Sequence, residues 1–186
     1  MLQTSGIPRT GRQKELSKRY AGLYKAAATL VLIALSVMLP QVFHMVGGAN
    51  AGRAFLPMHI PVLIAGLLLG APWGVAAGLL SPLVSHAISG MPAAAILPVM
   101  MPELGFYGAV AGAFRGKTNR FFALAAALTL GRLLLAAFLL VSALSGGTFP
   151  LPEYVWSALL EGLPGIVLQL AVLPFLTAWL ERRYTR

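Results

Sequence analysis

The sequence predicts an all-α polytopic membrane protein with six transmembrane helices. Three observations carry this prediction: the composition, the recurrence of long apolar runs and the placement of the basic residues. Of the 186 residues, 58% are hydrophobic and 10% are charged, and the mean hydropathy is +0.81. A soluble domain carries roughly 25% charged residues, so the chain has too few charges for a surface that faces water. About 20 apolar residues make one bilayer-spanning helix, and runs near that length recur along the chain.

The amino-terminal segment, residues 1–20, is polar and basic. It lacks the short apolar core and small-residue cleavage site of a signal peptide. We therefore expect a cytoplasmic tail, disordered or lying on the membrane surface, followed by one membrane domain over residues 21–186. The first span is predicted for residues 22–43. The small and polar residues at 44–55 predict a flexible, glycine-rich connection rather than part of a span.

Two shorter spans are predicted next, over residues 56–70 and 73–90. A single long helix is excluded because Gly70 is followed by Ala71 and Pro72, a combination typical of turns. Gly66, Gly70, Gly74 and Gly78 recur every fourth residue across this turn. Small residues at that spacing let helix backbones approach closely in membranes. Packing between the second and third spans is the first interpretation, and a contact surface for another subunit is the second.

The remaining spans are predicted for residues 93–114, 121–144 and 154–180, with several prolines inside them. Charge then tests the topology. With both termini in the cytoplasm, twelve of the fourteen Lys and Arg residues flank the spans on the inside, Arg53 lies outside and Arg132 falls within a span. This asymmetry follows the positive-inside rule. It also accounts for the net charge of +9 without nucleic acid as a partner.

Ionisable residues at membrane depth are costly and are usually paired or functional. Glu103 and Arg132 are predicted near the middle of the fourth and fifth spans, where they form either a structural ion pair or a ligand-recognition pair. Glu161 is predicted two turns into the sixth span from the outside. His59 and His86 are predicted near the outer ends of the second and third spans, as interfacial histidines or ligand contacts. Trp156, Tyr107 and Phe149 add candidate aromatic walls for a cavity in the outer half of the bundle.

Most enzyme and channel classes lack support in the sequence. There is no phosphate-binding P-loop, no GxSxG nucleophile motif and no HExxH or similar zinc-ligand spacing. Cysteine is absent, which excludes disulfides and thiolate metal sites. Neither a cofactor nor a metal is therefore expected. The sequence shows no repeated pore-lining filter segment, which would be expected of a channel. It also shows no clear inverted repeat, which argues against a large secondary transporter.

Two segments carry a resemblance to a known family. They read FLPMHIPVLIAGLLLGAPWGVAAGLLSPLVSHAISGMP and, a few residues later, LPVMMPELGFYGAVAGAF. Together they contain Pro-Met-His-Ile-Pro, the glycine repeat and Pro-Glu-Leu, in that order. These elements resemble the S component, the substrate-binding subunit of energy-coupling factor (ECF) vitamin transporters. The resemblance is best over the second to fourth spans and agrees with the six-span length.

The resemblance implies a function and partners. An S component captures a vitamin or precursor from outside a prokaryotic cell and docks on a transmembrane T component with two ATPases of the ATP-binding-cassette type, so it is not itself an enzyme. Many members carry an Ala-xxx-Ala pattern in the first span for this contact. Here Gly22 and Ala26 form a Gly-xxx-Ala variant, and the Gly66, Gly70, Gly74 and Gly78 series is a second candidate docking surface.

Two other classes of function stay open from the residues alone. The first is a small structural or scaffolding membrane subunit without a ligand, in which Glu103 and Arg132 only stabilise the bundle. The second is a membrane-embedded enzyme. The residues do not choose a solute, because Arg132 suits a carboxylate whereas Glu103 and Glu161 suit a cation or a hydrogen-bond donor.

Overall fold

The computed structural model describes residues 11–146 and 151–184, which are almost entirely helical. These two ranges contain six α-helices: α1 (Gly11–Phe55), α2 (His59–Leu69), α3 (Ala71–Ser89), α4 (Leu97–Ala113), α5 (Arg120–Leu144) and α6 (Leu151–Tyr184). A short 3-10 turn at Ala94–Ile96 precedes α4. Within the described ranges, six helical stretches are long and apolar enough to cross a membrane. The predicted fold class is confirmed.

The turns form where the sequence has residues that end or begin helices. Gly70 ends α2 with φ +102°, a conformation that side chains with a Cβ rarely adopt. Pro72 then occupies the first turn of α3, where a missing N–H costs no hydrogen bond. Asn119 caps α5 because its side-chain oxygen accepts a hydrogen bond from the Phe122 N–H at 2.7 Å. The predicted separation of the second and third spans is thus confirmed.

Helix α2 occupies the centre of the bundle. It contacts each of the other five helices, and those five contact one another in the cyclic order α1, α3, α4, α5, α6 and back to α1. Val62, Leu63 and Ala65 of α2 have no exposed surface. An entirely enclosed helix must be apolar on all sides, which explains why the α2 sequence has no polar face.

The outer surface of the ring is strongly apolar. Exposed side chains include Val31 and Met38 on α1, and Val172 and Phe175 on α6. A soluble protein rarely exposes so much contiguous apolar area. In a bilayer these side chains face lipid tails that are equally apolar, as expected of a membrane-embedded bundle.

The segment 44–55 corrects one prediction. It is helical as part of α1, which breaks locally at Gly48 (φ +67°). The helix after the break is held by tertiary packing that its composition does not reveal. A Cβ on Gly165 of α6 would lie 2.6 Å from the carbonyl carbon of Phe55, so the two backbones are in direct contact. The second span consequently runs over Asn50–Leu69 rather than beginning at residue 56.

Helix α1 also begins earlier than its predicted span. It is helical from Gly11, within the segment expected to be a disordered or surface-lying tail. The candidate span in this helix covers Glu15–Gly48, 34 residues, which corresponds to a length of about 50 Å. Because a bilayer core is about 30 Å thick, one or both ends of this helix extend beyond the apolar layer.

Candidate functional site

An ion pair joins the middles of α4 and α5. Nη1 of Arg132 donates a hydrogen bond to Oε1 of Glu103 at 2.9 Å, and the two side chains are 12% and 9% exposed. Tyr107, one helical turn beyond Glu103, donates from its hydroxyl to the same oxygen at 2.7 Å. A Cβ on Gly131 would overlap the Tyr107 ring, so this glycine leaves the space that the ring fills between the two helices.

His59 of the central helix extends this polar cluster. Its ring centroid lies 5.1 Å from that of Tyr107, with 53° between the ring planes. The residue is 5% exposed, and neither ring nitrogen has a hydrogen-bond partner among the described residues. The earlier start of the second span places His59 near mid-span, and the prediction that it lies near an outer end is wrong. Burying a polar group without a hydrogen-bond partner lowers the stability of a protein by about 1–3 kcal/mol. His59 is therefore a candidate for contact with a ligand.

Gln169 of α6 is a further buried polar residue. It is 1% exposed. Its Nε2 lies 3.4 Å from the Leu56 carbonyl oxygen, and its Oε1 has no partner in the described part of the chain. Leu56 has φ +49°, rare for a residue other than glycine, and its carbonyl also accepts the His59 N–H at 3.0 Å. In the sequence, Gln169 stands out as an amide inside an apolar run. Nothing in the sequence around Leu56 indicates its positive φ.

The other donors of Arg132 face α6 and the interior. Nε is buried and has no partner among the described residues. Nη2 is so close to α6 that a Cβ on Gly162 would lie 3.2 Å from it. The guanidinium is therefore hydrogen-bonded to α4 and lies close to α6 without a hydrogen bond to it among the described residues. Together with the unpartnered atoms of His59 and Gln169, these groups can supply hydrogen bonds to a small polar ligand.

A cleft of about 360 Å³ lies beside Arg132, between α5 and α6. Its lining is apolar apart from Arg132 and Thr129, and it consists of Ala125, Leu128, Thr129, Arg132, Leu133 and Ala136 of α5 with Ile166 and Leu170 of α6. Thr129 and Leu133 are exposed on the outer surface of α5. The cleft thus opens on the lipid-facing side of the bundle, and Arg132 forms part of its lining.

Two predicted site residues, His86 and Glu161, make contacts outside this cluster. His86 at the end of α3 makes a 2.8 Å hydrogen bond through Nδ1 with the Pro92 carbonyl oxygen. Glu161 is 47% exposed, and its carboxylate lies 3.9 Å from Arg53. Trp156 is on α6, but its side chain lies outside the described residues, as does Phe149. Whether any of the predicted residues binds a solute stays a prediction.

The predicted docking glycines divide into two groups. Gly66, Gly74 and Gly78 are buried, and a Cβ on any of them would overlap or crowd the α4 backbone; at Gly66 it would lie 2.5 Å from the Gly108 carbonyl oxygen. Their close packing is with α4, not between the second and third spans as predicted, so these three do not form an exposed face. Around Gly70 and Gly22 there is open space for a Cβ, and the docking role of Gly22 and Ala26 stays a prediction.

The described residues include no group of three His, Cys, Asp or Glu side chains placed to hold a metal ion. The cluster instead combines one ion pair, one tyrosine and two hydrogen-bonding side chains in an enclosed bundle. Such a group of polar side chains inside an apolar surround can orient a small molecule.

Comparison with models of protein families gave a match. The sequence model of a protein family described as "ECF transporter, substrate-specific component" matches residues 27–177, which is most of the chain. Neither the curated proteins nor the solved structures gave a significant match to this chain.

Proposed function

The chain belongs to the family of ECF transporter substrate-specific components, and from this premise we propose that it captures a vitamin or vitamin precursor for an ATP-driven importer. Members of this family are substrate-binding transport subunits, not enzymes, and they associate with ECF transporter modules. As a multi-pass protein of this family, the chain fits the plasma membrane of a prokaryote. The proposal specifies a vitamin or precursor as the solute, and a T component with two ATPases as the partners.

The observation that carries the proposal is the polar cluster around Arg132. A bundle that only had to be stable would gain little from it, since replacing a buried ion pair by apolar residues is often neutral or stabilising. Arg132 Nε, both nitrogens of His59 and Gln169 Oε1 are buried without partners among the described residues. A bound solute that supplies those partners recovers the free energy that their burial costs.

The energy for uptake is expected to come from partner subunits. The sequence has no P-loop, so this chain has no usual means of binding ATP. Capture and energy use are then separate: the chain alone binds the solute, and concentrative uptake needs the T component and the ATPases. We place capture in the cluster of His59, Glu103, Tyr107 and Arg132, with Glu161, His86 and Trp156 as candidates nearer the outside.

Mass spectrometry of small molecules that co-purify with the protein tests the capture function. The expected result is one small solute at up to one equivalent per chain in the wild type, and its loss in Arg132→Ala. Vesicles containing the chain alone should bind the solute but not concentrate it. The alternative function, a scaffolding subunit without a ligand, would give no co-purified solute in any variant and an unchanged complex with the partner subunits.

A further inference from the structure

We infer that the captured solute is an amphiphilic carboxylate, whose carboxylate binds the free edge of the Arg132 guanidinium and whose apolar body lies in the cleft between α5 and α6. This inference rests on the capture function proposed above and names the chemical class of its substrate. Two independent features support it: the pattern of used and unused donors on Arg132, and the position and lining of the cleft.

The donor pattern points to a carboxylate. A guanidinium presents two parallel N–H bonds on the edge formed by Nε and Nη2, and this fork matches the two oxygens of a carboxylate. Glu103 is bonded to Nη1 and leaves that edge unused. Nε is buried without a described partner, and Nη2 faces Gly162, which has no side chain to bond it. The free edge is therefore the strongest unused recognition element of the cluster.

The cleft supplies the apolar part of the site. Its volume of about 360 Å³ falls at the lower end of the range of roughly 300–1,000 Å³ for small-molecule pockets. Leu128, Leu133, Ile166 and Leu170 line it, and none of them can bond a polar substituent. A solute that fills this space gains free energy by burying apolar surface, at about 25 cal/mol per Å².

Depth argues against a membrane phospholipid as the occupant that Arg132 recognises. Arg132 is at the centre of α5 (Arg120–Leu144), about 18 Å along the helix from either end. Phospholipid head groups lie at the surface of an apolar layer about 30 Å thick, and their phosphates do not reach that depth. An acyl chain can enter the cleft, but it leaves the arginine edge without a partner.

Glu103 has a defined role in this arrangement. It holds Arg132 through Nη1 and leaves the edge formed by Nε and Nη2 to the solute, so two carboxylates share one guanidinium on separate edges. The two negative charges repel each other. Glu103→Gln removes that repulsion and should raise the preference for a carboxylate over the matching neutral amide.

The test uses the wild-type protein in nanodiscs and three probes in equilibrium dialysis, with empty nanodiscs as the blank. The probes are 3-phenylpropanoate, its neutral amide 3-phenylpropanamide, and acetate. We expect the aromatic acid to bind at least about tenfold more tightly than either the amide or acetate, a difference of about 1.4 kcal/mol. Similar affinities for acid and amide would overturn the inference.

Two substitutions on neighbouring residues of α5 provide a matched pair. Ala136 lines the cleft, whereas Ala137 is exposed on the helix surface and does not. Ala136→Leu should fill the cleft and weaken binding of 3-phenylpropanoate by about tenfold or more, and Ala137→Leu should leave it unchanged. Equal binding by both variants would show that the α5–α6 cleft is not the apolar subsite.

The outcomes separate this inference from the capture function. If a neutral or cationic solute co-purifies with the protein and stays bound in Ala136→Leu, capture stands and the inference is wrong. If Ala136→Leu releases a co-purified phospholipid but leaves 3-phenylpropanoate binding intact, the cleft is a lipid site only and the inference is wrong. Absence of any co-purified solute, together with absence of probe binding, would overturn both.

Discussion

Arg132 on α5 and Glu103 on α4 form an ion pair of 2.9 Å where the two helices meet. Each comes from near the middle of its own helix, and both side chains are largely buried. Two charged groups at this depth are costly to place, and their attraction offsets that cost only while both are present. We therefore expect that removing one partner lowers stability, and that substitutions at the pair can separate this effect from the proposed role in solute binding.

The first prediction separates stability from binding at this pair. Arg132→Met and Glu103→Leu should each lower the free energy of unfolding by about 3–5 kcal/mol, because each leaves one buried charge unpaired. The double variant should recover most of that loss while binding the solute at least about tenfold more weakly. Unfolding in detergent without ligand and the dissociation constant are measured on the same preparations. A double variant with wild-type affinity would mean that the pair is only structural.

The second prediction concerns the glycine contact between α3 and α4. A Cβ on Gly74 would meet the backbone of Gly108, which cannot move aside as a flexible side chain would. Gly74→Ala should therefore lower the free energy of unfolding by about 1–3 kcal/mol or more. The matched control is Gly22→Ala, since a Cβ there meets open space and alanine favours the helix by about 1 kcal/mol. Equal melting temperatures for the two variants would contradict this contact.

The third prediction concerns docking on the energising module. Gly22 and Ala26 are partly exposed on α1, and small residues four apart permit close approach of a partner helix. Gly22→Leu should leave folding and solute binding intact but reduce co-purification with the T component. Gly22→Ala should retain docking because it keeps the small surface. If Gly22→Leu assembles and transports normally, this face of α1 is not the docking surface.

The fourth prediction is that both termini lie in the cytoplasm. Arg53 is the basic residue expected outside the membrane, whereas the basic residues near both termini and in the turn between α4 and α5 are expected inside. A reporter that is active only outside the cytoplasm should be inactive at either terminus and active when inserted at the break in α1 at Gly48. Activity at one terminus would exclude six crossings with this orientation.

The sequence predicted the parts of the fold that depend on local composition. Length, apolar runs and the Gly70–Ala71–Pro72 turn were enough for six spans, because a bilayer restricts the chain to helices of a known length. The similar depths of Glu103 and Arg132 also allowed their pairing, which the structure contains. These inferences needed only the position of each residue along its own helix.

The rest depends on contacts between distant segments, which periodicity does not specify. The helix that ends at Phe55 packs its backbone directly against Gly165, more than a hundred residues later in the chain. The same applies to Gly66 and Gly74, whose spacing indicated close packing but not α4 as the partner. His59 appeared interfacial only because the start of its span was placed too late.

The fifth prediction concerns His59, whose buried nitrogens have no described partner. His59→Phe keeps a ring against Tyr107 and removes the two unpartnered polar atoms. Without solute, the free energy of unfolding should stay equal or rise by about 1–3 kcal/mol, because the cost of burying those atoms disappears.

His86→Phe is the control. It should lower the free energy of unfolding by about 0.5–1.5 kcal/mol, because it removes the 2.8 Å hydrogen bond to the Pro92 carbonyl oxygen. If His59 binds solute, His59→Phe should also weaken binding about tenfold or more, so stability and affinity change in opposite directions. A large loss of stability in the solute-free His59→Phe protein would mean that the imidazole already has a partner, and unchanged affinity would remove His59 from the site.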